Sequence, residues 1–218
     1  MAPVETLRDS VEKMSMYRYE AVLGTRIAEI LDDVASLRIE LFRQYPYLYD
    51  GNLEYERNYL KGLSENDKSF VVAAYMDDQV VGAATALPLS SNAEILDGVR
   101  ERFFRAGFDP QACYYYSEIL VRPSQRRRGI SKEFYRRRRE MALQLGYSTV
   151  CFSALNTEEI DSPAPPDYFD PSEMWRGMGF IQHRDIYVDY EWPTLRPDGT
   201  TLDMTHRLYF WTRHLESD

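Results

Sequence analysis

The sequence predicts an α/β fold in a single domain, with a mixed central β-sheet, flanking helices and one pair of parallel strands. Three observations predict it. Short β-type runs alternate with stretches of helical periodicity along the chain. Cys113 to Val121 (CYYYSEILV) is a run of aromatic and branched residues of the kind found in a central strand. The segment from there to Leu155 reads strand, loop, helix, strand, a right-handed βαβ unit whose two strands are parallel.

Taken in order, Met16 to Leu23 (MYRYEAVL) has β-type residues and stops at Gly24, which predicts a strand. From Arg26 to Gln44, Ile27, Ile30, Leu31, Val34, Leu37, Leu41 and Phe42 recur at three- and four-residue spacing, predicting one amphipathic helix. The turn-rich aromatic stretch QYPYLYDGN follows, then a shorter helix from about Leu53 to Leu63. Phe70 to Tyr75 and Gln79 to Pro88, split by Met76-Asp77-Asp78, read as a β-hairpin. Asn92 to Phe108 reads as a helical connection. After the central strand, Pro123 and a basic loop lead into a helix from about Ile130 to Leu145 with Ile130, Phe134, Met141 and Leu145 as its apolar stripe, stopped by Gly146. Thr149 to Leu155 is the next strand. A Pro-rich loop from Asn156 to Asp170, a short helix from Pro171 to Met178 and two strands near Phe180 to Trp192 and Thr205 to Leu215 complete the chain.

Composition bounds the function classes. At 218 residues, with 44% hydrophobic and 28% charged residues, one substantial core is the default, with residues 1–15 as an N-terminal extension of a domain over 16–218. No run approaches the roughly 18 apolar residues of a membrane span, and the N-terminus lacks an apolar h-region. A cytoplasmic protein without a membrane partner is expected. Cys113 and Cys151 sit in apolar contexts and read as buried free thiols, and His183, His206 and His214 are too scattered to suggest a metal site. Of the 26 basic residues, nine fall between Arg122 and Arg139 against a single acid, Glu133; the other 17 face 34 acidic residues elsewhere. A binder of long polyanions spreads its positive charge over a face, so this local block argues against nucleic acid as the partner.

The block divides in two. Arg136 to Arg139 occupy successive helical positions spanning about 300°, which predicts a largely solvated face. Arg126-Arg127-Arg128-Gly129-Ile130-Ser131 instead lies where a strand passes into a helix, and a helix N-terminus presents unpaired N–H groups and partial positive charge. Gly129 has no Cβ to obstruct an approaching phosphate, Ser131 is small, and the arginines add charge-assisted bonds. Neither a GxxxxGK[ST] nor a GxGxxG pattern is present.

LVRPSQRRRGIS resembles the signature of the GNAT superfamily of N-acetyltransferases, R/Q-x-x-G-x-G/A after a strand ending in a V-x-P turn. Arg126, Gly129 and Ser131 fall on its motif positions, with Ser131 in place of glycine or alanine. The resemblance implies that the backbone of Arg127, Arg128, Gly129, Ile130 and Ser131, with the Arg126 side chain, holds the pyrophosphate of acetyl-CoA as co-substrate. It further implies that Leu120 and Val121 bond the pantetheine arm within a V-shaped splay of the two parallel strands, and that Asn156 either bonds coenzyme A or simply forms a turn.

Glu118 is the one charged residue of its strand. An unpaired buried carboxylate is costly, and desolvation raises its pKa towards the range of a general base. Two uses fit: the base that deprotonates an attacking amine, which the resemblance favours, or a structural carboxylate held in the substrate wall by a salt bridge or hydrogen bonds. In the family's Y-x-x-x-G-F pattern a tyrosine protonates the departing thiolate; here the segment is Trp175-Arg176-Gly177-Met178-Gly179-Phe180, and an indole N–H is far too weak an acid. Tyr168, solvent, or no donor at all takes that role. Tyr47, Tyr49 and Asp50 form either an aromatic and acidic receptor for the amine or part of the core. The implied activity is transfer of an acetyl group to a primary amine of a small-molecule or peptide acceptor by direct attack in a ternary complex, with a homodimer left open. The rivals are a non-catalytic acyl-CoA-binding module, suggested by the missing tyrosine, and an RNA-associated protein using the basic helix.

Overall fold

Seven strands form one sheet in the order β1-β2-β3-β4-β5-β7-β6 in a computed structural model that describes residues 16–91, 96, 98–160 and 162–216. The strands are β1 Arg18–Leu23, β2 Phe70–Met76, β3 Gln79–Pro88, β4 Cys113–Val121, β5 Thr149–Leu155, β6 Ile181–Leu195 and β7 Thr201–His214. The helices are α1 Leu31–Phe42, α2 Leu53–Ser64, α3 Val99–Arg105, α4 Ile130–Gln144 and α5 Ser172–Gly177. All neighbours are antiparallel except β4 and β5, which are joined through α4 and run parallel. The expected N-terminal extension, residues 1–15, lies outside the described residues, as does part of the connection from Asn92, whose described portion contains the short α3.

Apolar residues of α1 and α2, among them Val34, Leu37, Leu41, Leu60 and Leu63, bury one sheet face. Ile130, Phe134 and Ala142 of α4 bury the other. The predicted β2–β3 hairpin turns on Asp77 and Asp78, both with positive φ (50° and 61°), the mirror-image turn whose twist suits a two-residue connection. The helix expected from Arg26 to Gln44 is two elements: a 3₁₀ segment, Gly24–Glu29, and α1, separated by Ile30 at φ −122° and ψ 9°. The apolar spacing could not reveal the break, because Ile27 and Ile30 are three residues apart and a 3₁₀ turn presents that pair to one side as well as an α-turn does.

Two irregularities of β4 shape everything that follows. Its pairing with β5 covers only Cys113 to Tyr115 against Thr149 to Cys151, while β3 continues to pair with β4 as far as Val121 and β7 pairs with β5 through Leu155. Beyond Tyr115 the parallel pair has parted, which is the splay expected from the resemblance. The cause lies in the β3–β4 register: Leu87 pairs with Tyr115 but Thr85 pairs with Glu118, so β4 carries an extra residue at Tyr116-Ser117. Such a bulge bends its strand and resets the alternation of faces. Cys113 and Tyr115 face the α1/α2 core, Tyr116 the α4 core, and after the bulge Leu120 faces α1/α2 again. At the other side of β4, Gly82 admits a close crossing: a Cβ there would stand 2.8 Å from the Leu120 carbonyl oxygen and 3.3 Å from the Phe134 ring.

Candidate active site

The basic loop is tied down at its base and open at its tip. The buried Gln125 side chain accepts a 2.6 Å bond from the Tyr17 hydroxyl, the Arg122 amide bonds Val81 O at 3.0 Å, and the Arg122 side chain reaches Glu40 at 3.1 Å. Beyond it, Arg127 at φ 60° and Gly129 at φ 88° are both left-handed. For the arginine that conformation costs on the order of 1–2 kcal/mol, strain of the kind found where backbone is shaped for a ligand. Gly129 is the N-cap residue of α4, no side chain caps that helix, and nothing lies within 4 Å of where a Gly129 Cβ would be. The first-turn amides of α4 therefore have neither an intrahelical partner nor a side-chain cap. Arg126, Arg127, Arg128, Gly129 and Ser131 are exposed, while Ile130 is buried and anchors the turn. Arg126 folds back so that its Nε donates to Val121 O at 3.2 Å, linking the motif arginine to the end of β4. These features fit a pyrophosphate: uncapped donors, open space, flexible cations.

Along the parted edge of β4, Ile119 is 46% exposed in the middle of a central strand. Glu118, at 8% exposure, lies on the α1/α2 face, where its carboxylate pairs with Nη1 of Arg38 on α1. The Nε of the same arginine pairs with Glu56 of α2, which is wholly buried. The Arg38 guanidinium also lies 4.3 Å from the centre of the Tyr59 ring and 5.0 Å from that of Phe42. Ser117 Oγ, on the bulge, is 2.6 Å from Thr85 Oγ1.

The expectation of a largely solvated Arg136 to Arg139 holds for Arg136, Arg137 and Arg139, which reach solvent, and is corrected at Arg138. Arg136 is half exposed and bonds Glu133 and Glu140, and Arg137 bonds Glu133. Arg139 donates to Glu216 O at 3.1 Å. Arg138 is 5% exposed and turned into the sheet, where Nη1 donates to the carbonyls of Glu118 (3.0 Å) and Thr85 (3.4 Å), the two residues flanking the bulge. Its guanidinium lies 4.3 Å from the centre of the Tyr116 ring, and burial pulls its pKa down to about 10. An irregular ladder leaves carbonyls in need of donors, and Arg138 supplies them.

The remaining predicted residues separate into two groups. Tyr49 is buried beside Glu56, its phenol pKa pushed up by burial and by that carboxylate, so the aromatic loop meets the Arg38–Glu56–Glu118 cluster. Tyr47 packs between Phe42 (4.7 Å) and Trp192 (6.1 Å), and Tyr45 meets Tyr168 edge-on at 4.7 Å, which joins the loops after α1 and β5. Burial and the neighbouring Asp170 push Tyr168 up to about 12. Asp50 is otherwise engaged: one oxygen pairs with Arg43 and the other accepts from Thr201 at 2.9 Å, at the β6–β7 hairpin. Asn156 Oδ1 caps the 3₁₀ turn after β5 and its Nδ2 bonds Glu159 at 2.9 Å, beside a cleft of about 310 Å³ that also touches His206 and Arg207. Trp175 lies in an aromatic cluster with Phe152 (4.7 Å) and Trp211 (5.2 Å). A larger cleft, about 470 Å³, lies at the opposite end of β4 beside Gln111, Gly146 and Tyr147, and contains none of the predicted residues. Among the described residues no group of three or more His, Cys, Asp or Glu side chains is placed to hold a metal ion, and no helix is long and apolar enough to cross a membrane.

The model of the acetyltransferase (GNAT) family matches residues 31–164, more than half of the chain. The chain belongs to the GNAT family. It is an acetyltransferase by membership, and the family generally uses acetyl-CoA. No curated protein matches it. Among solved structures, an N-acetyltransferase from Staphylococcus aureus Mu50 is 15% identical over 91% of this chain and 99% of its own, with a TM-score of 0.56. A ribosomal-protein-alanine N-acetyltransferase from Brucella melitensis is 15% identical over 91% and 99%, at 0.52. Arylalkylamine N-acetyltransferase 2 from Aedes aegypti is 14% identical over 92% and 99%, at 0.51. At such identities the likeness establishes the GNAT fold alone, and in this GNAT chain the fold includes the splay described above.

Proposed function

We propose that this GNAT chain transfers an acetyl group from acetyl-CoA to a primary amine by direct attack in a ternary complex. The observation that carries the reading is the uncapped N-terminus of α4 following directly on a parallel strand pair that parts after three residue pairs. One end receives a pyrophosphate on N–H groups; the parted edge of β4, at Leu120 and Val121, offers main-chain groups to an extended pantetheine amide in the manner of an added strand. The thioester supplies an activated acetyl carbonyl. The amine lone pair forms the new C–N bond, the C–S bond breaks with its electron pair passing to sulfur, Glu118 takes the amine proton directly or through water, and Tyr168 or solvent returns a proton to sulfur. The solved structures that share the fold carry acceptor names as different as a ribosomal protein's alanine and an arylalkylamine, so the fold does not choose the acceptor.

A second reading, an acyl-CoA-binding module without turnover, is favoured by Trp175 at the motif tyrosine's place. The RNA reading loses its main support, because Arg136, Arg137 and Arg138 are engaged within the protein.

Thermal melts with acetyl-CoA test the donor site. At a hundredfold excess over Kd the stabilisation is about 2.7 kcal/mol, a Tm rise of roughly 5–10 °C for a chain of this size. Short RNA should give no salt-sensitive shift; the reverse pattern refutes the enzyme reading. Release of the CoA thiol over 2-phenylethylamine, spermidine and an alanine-ended peptide then separates turnover from mere binding. In the same assay Tyr168→Phe should lower kcat about tenfold if Tyr168 is the donor. With its pKa up at about 12, Tyr168 remains protonated across the assay range, so wild-type kcat should show no basic limb below pH 10 from this group.

A further inference from the structure

Glu118 is held from both faces of the sheet by buried arginines, Arg38 through the carboxylate and Arg138 through the main-chain carbonyl. An arginine facing a carboxylate commonly forms two parallel bonds and occupies both oxygens. Here Arg38 is shared: its Nε serves Glu56 Oε2 while Nη1 serves Glu118 Oε1. Glu118 Oε2 is buried without a hydrogen-bond partner. A second buried carboxylate adds a desolvation penalty that a simple Arg38–Glu118 pair would avoid, so its presence calls for a function beyond stability.

We propose that Glu56 is a positioning residue: by sharing the Arg38 guanidinium it offsets that cation's hold on Glu118, and so keeps the Glu118 carboxylate, with Oε2 unpaired, able to accept a proton. The proposal rests on the reading of Glu118 as the base. The charged and titratable groups around Glu118 are Arg38 of α1, Glu56 of α2, Tyr59 of α2 beneath the Arg38 guanidinium, Tyr49 beside Glu56, and Arg138 of α4 at the main chain. Of these, only Glu56 competes for Arg38 as an anion within the cluster.

The test compares Glu56→Ala and Glu56→Gln in full-length protein, with acetyl-CoA and the best amine of the panel above. Alanine leaves Arg38 with Glu118 as its one carboxylate partner in the cluster. Its kcat should fall roughly 30-fold with KM for acetyl-CoA within about twofold, and the acid limb of kcat/KM should move down by about one pH unit as the cation's hold on Glu118 tightens. Glutamine keeps an oxygen acceptor for Nε and should recover most of kcat, while the lost charge still moves the acid limb down. If Glu56→Ala does not fold, the limb shift in the isosteric glutamine variant decides. An unmoved acid limb, with rates falling only as melting temperature falls, overturns the proposal. Full activity in Glu118→Gln would instead remove the base reading beneath it, whereas loss of activity there with Glu56 variants of unchanged profile would overturn the role of Glu56 alone.

Discussion

Gly129→Glu is expected to abolish acetyl-CoA binding while the domain stays folded. The glycine is left-handed at φ 88° and stands at the N-terminus of α4 with open space where its Cβ would be. A glutamate there brings two effects of different size. The backbone strain of a side chain at positive φ costs on the order of 1–2 kcal/mol of stability, which a domain of ordinary stability tolerates. The carboxylate, at a site that favours anions, both repels a pyrophosphate and competes with it for the amides. Affinity should drop at least about 100-fold, or about 2.7 kcal/mol. Gly129→Ala separates the two effects: it carries the strain without the charge, meets no neighbouring atom, and should lose less than about tenfold in affinity. Calorimetric titration with acetyl-CoA measures both. Glutamate binding within threefold of the parent would show that the cradle lies elsewhere.

Glu118→Gln should lower kcat by about 10²- to 10⁴-fold near neutral pH, the usual worth of a general base, with little change in KM for acetyl-CoA. The substitution preserves shape, the bulge and the main-chain bond from Arg138, but removes the carboxylate we propose as acceptor of the amine proton. Arg38 retains Glu56 as its partner, so the variant avoids the roughly 3–5 kcal/mol penalty of an uncompensated buried charge. A melting temperature near the parent's, with kcat collapsed, identifies chemistry rather than folding. An undiminished kcat would leave Glu118 as a structural partner of Arg38.

Much of this architecture was legible in the linear chain. β4 and β5 have the bounds their branched and aromatic runs suggest, and α4 begins at the Ile130 that follows Gly129. The loop over residues 126–131, where we propose that the pyrophosphate binds, is contiguous, and its place at a helix N-terminus follows from near neighbours. What escaped was the company Glu118 keeps. Arg38, Glu56 and Arg138 are charged residues inside apolar stripes, four residues after Val34, four before Leu60 and four after Phe134. That spacing was a usable signal, and for Arg138 it outweighs membership of a run of four arginines.

Local order along the chain, then, was sufficient for the elements, the parallel unit and the loop at the start of α4, since each depends on propensity and periodicity among near neighbours. The surroundings of Glu118 were not, because they depend on one extra residue in β4. The bulge at Tyr116-Ser117 parts the strands, sets which face Glu118 takes, and leaves carbonyls that only a distant helix can satisfy. Whether two carboxylates share one guanidinium is a matter of how α1, α2 and the sheet pack together, and no single segment carries that information.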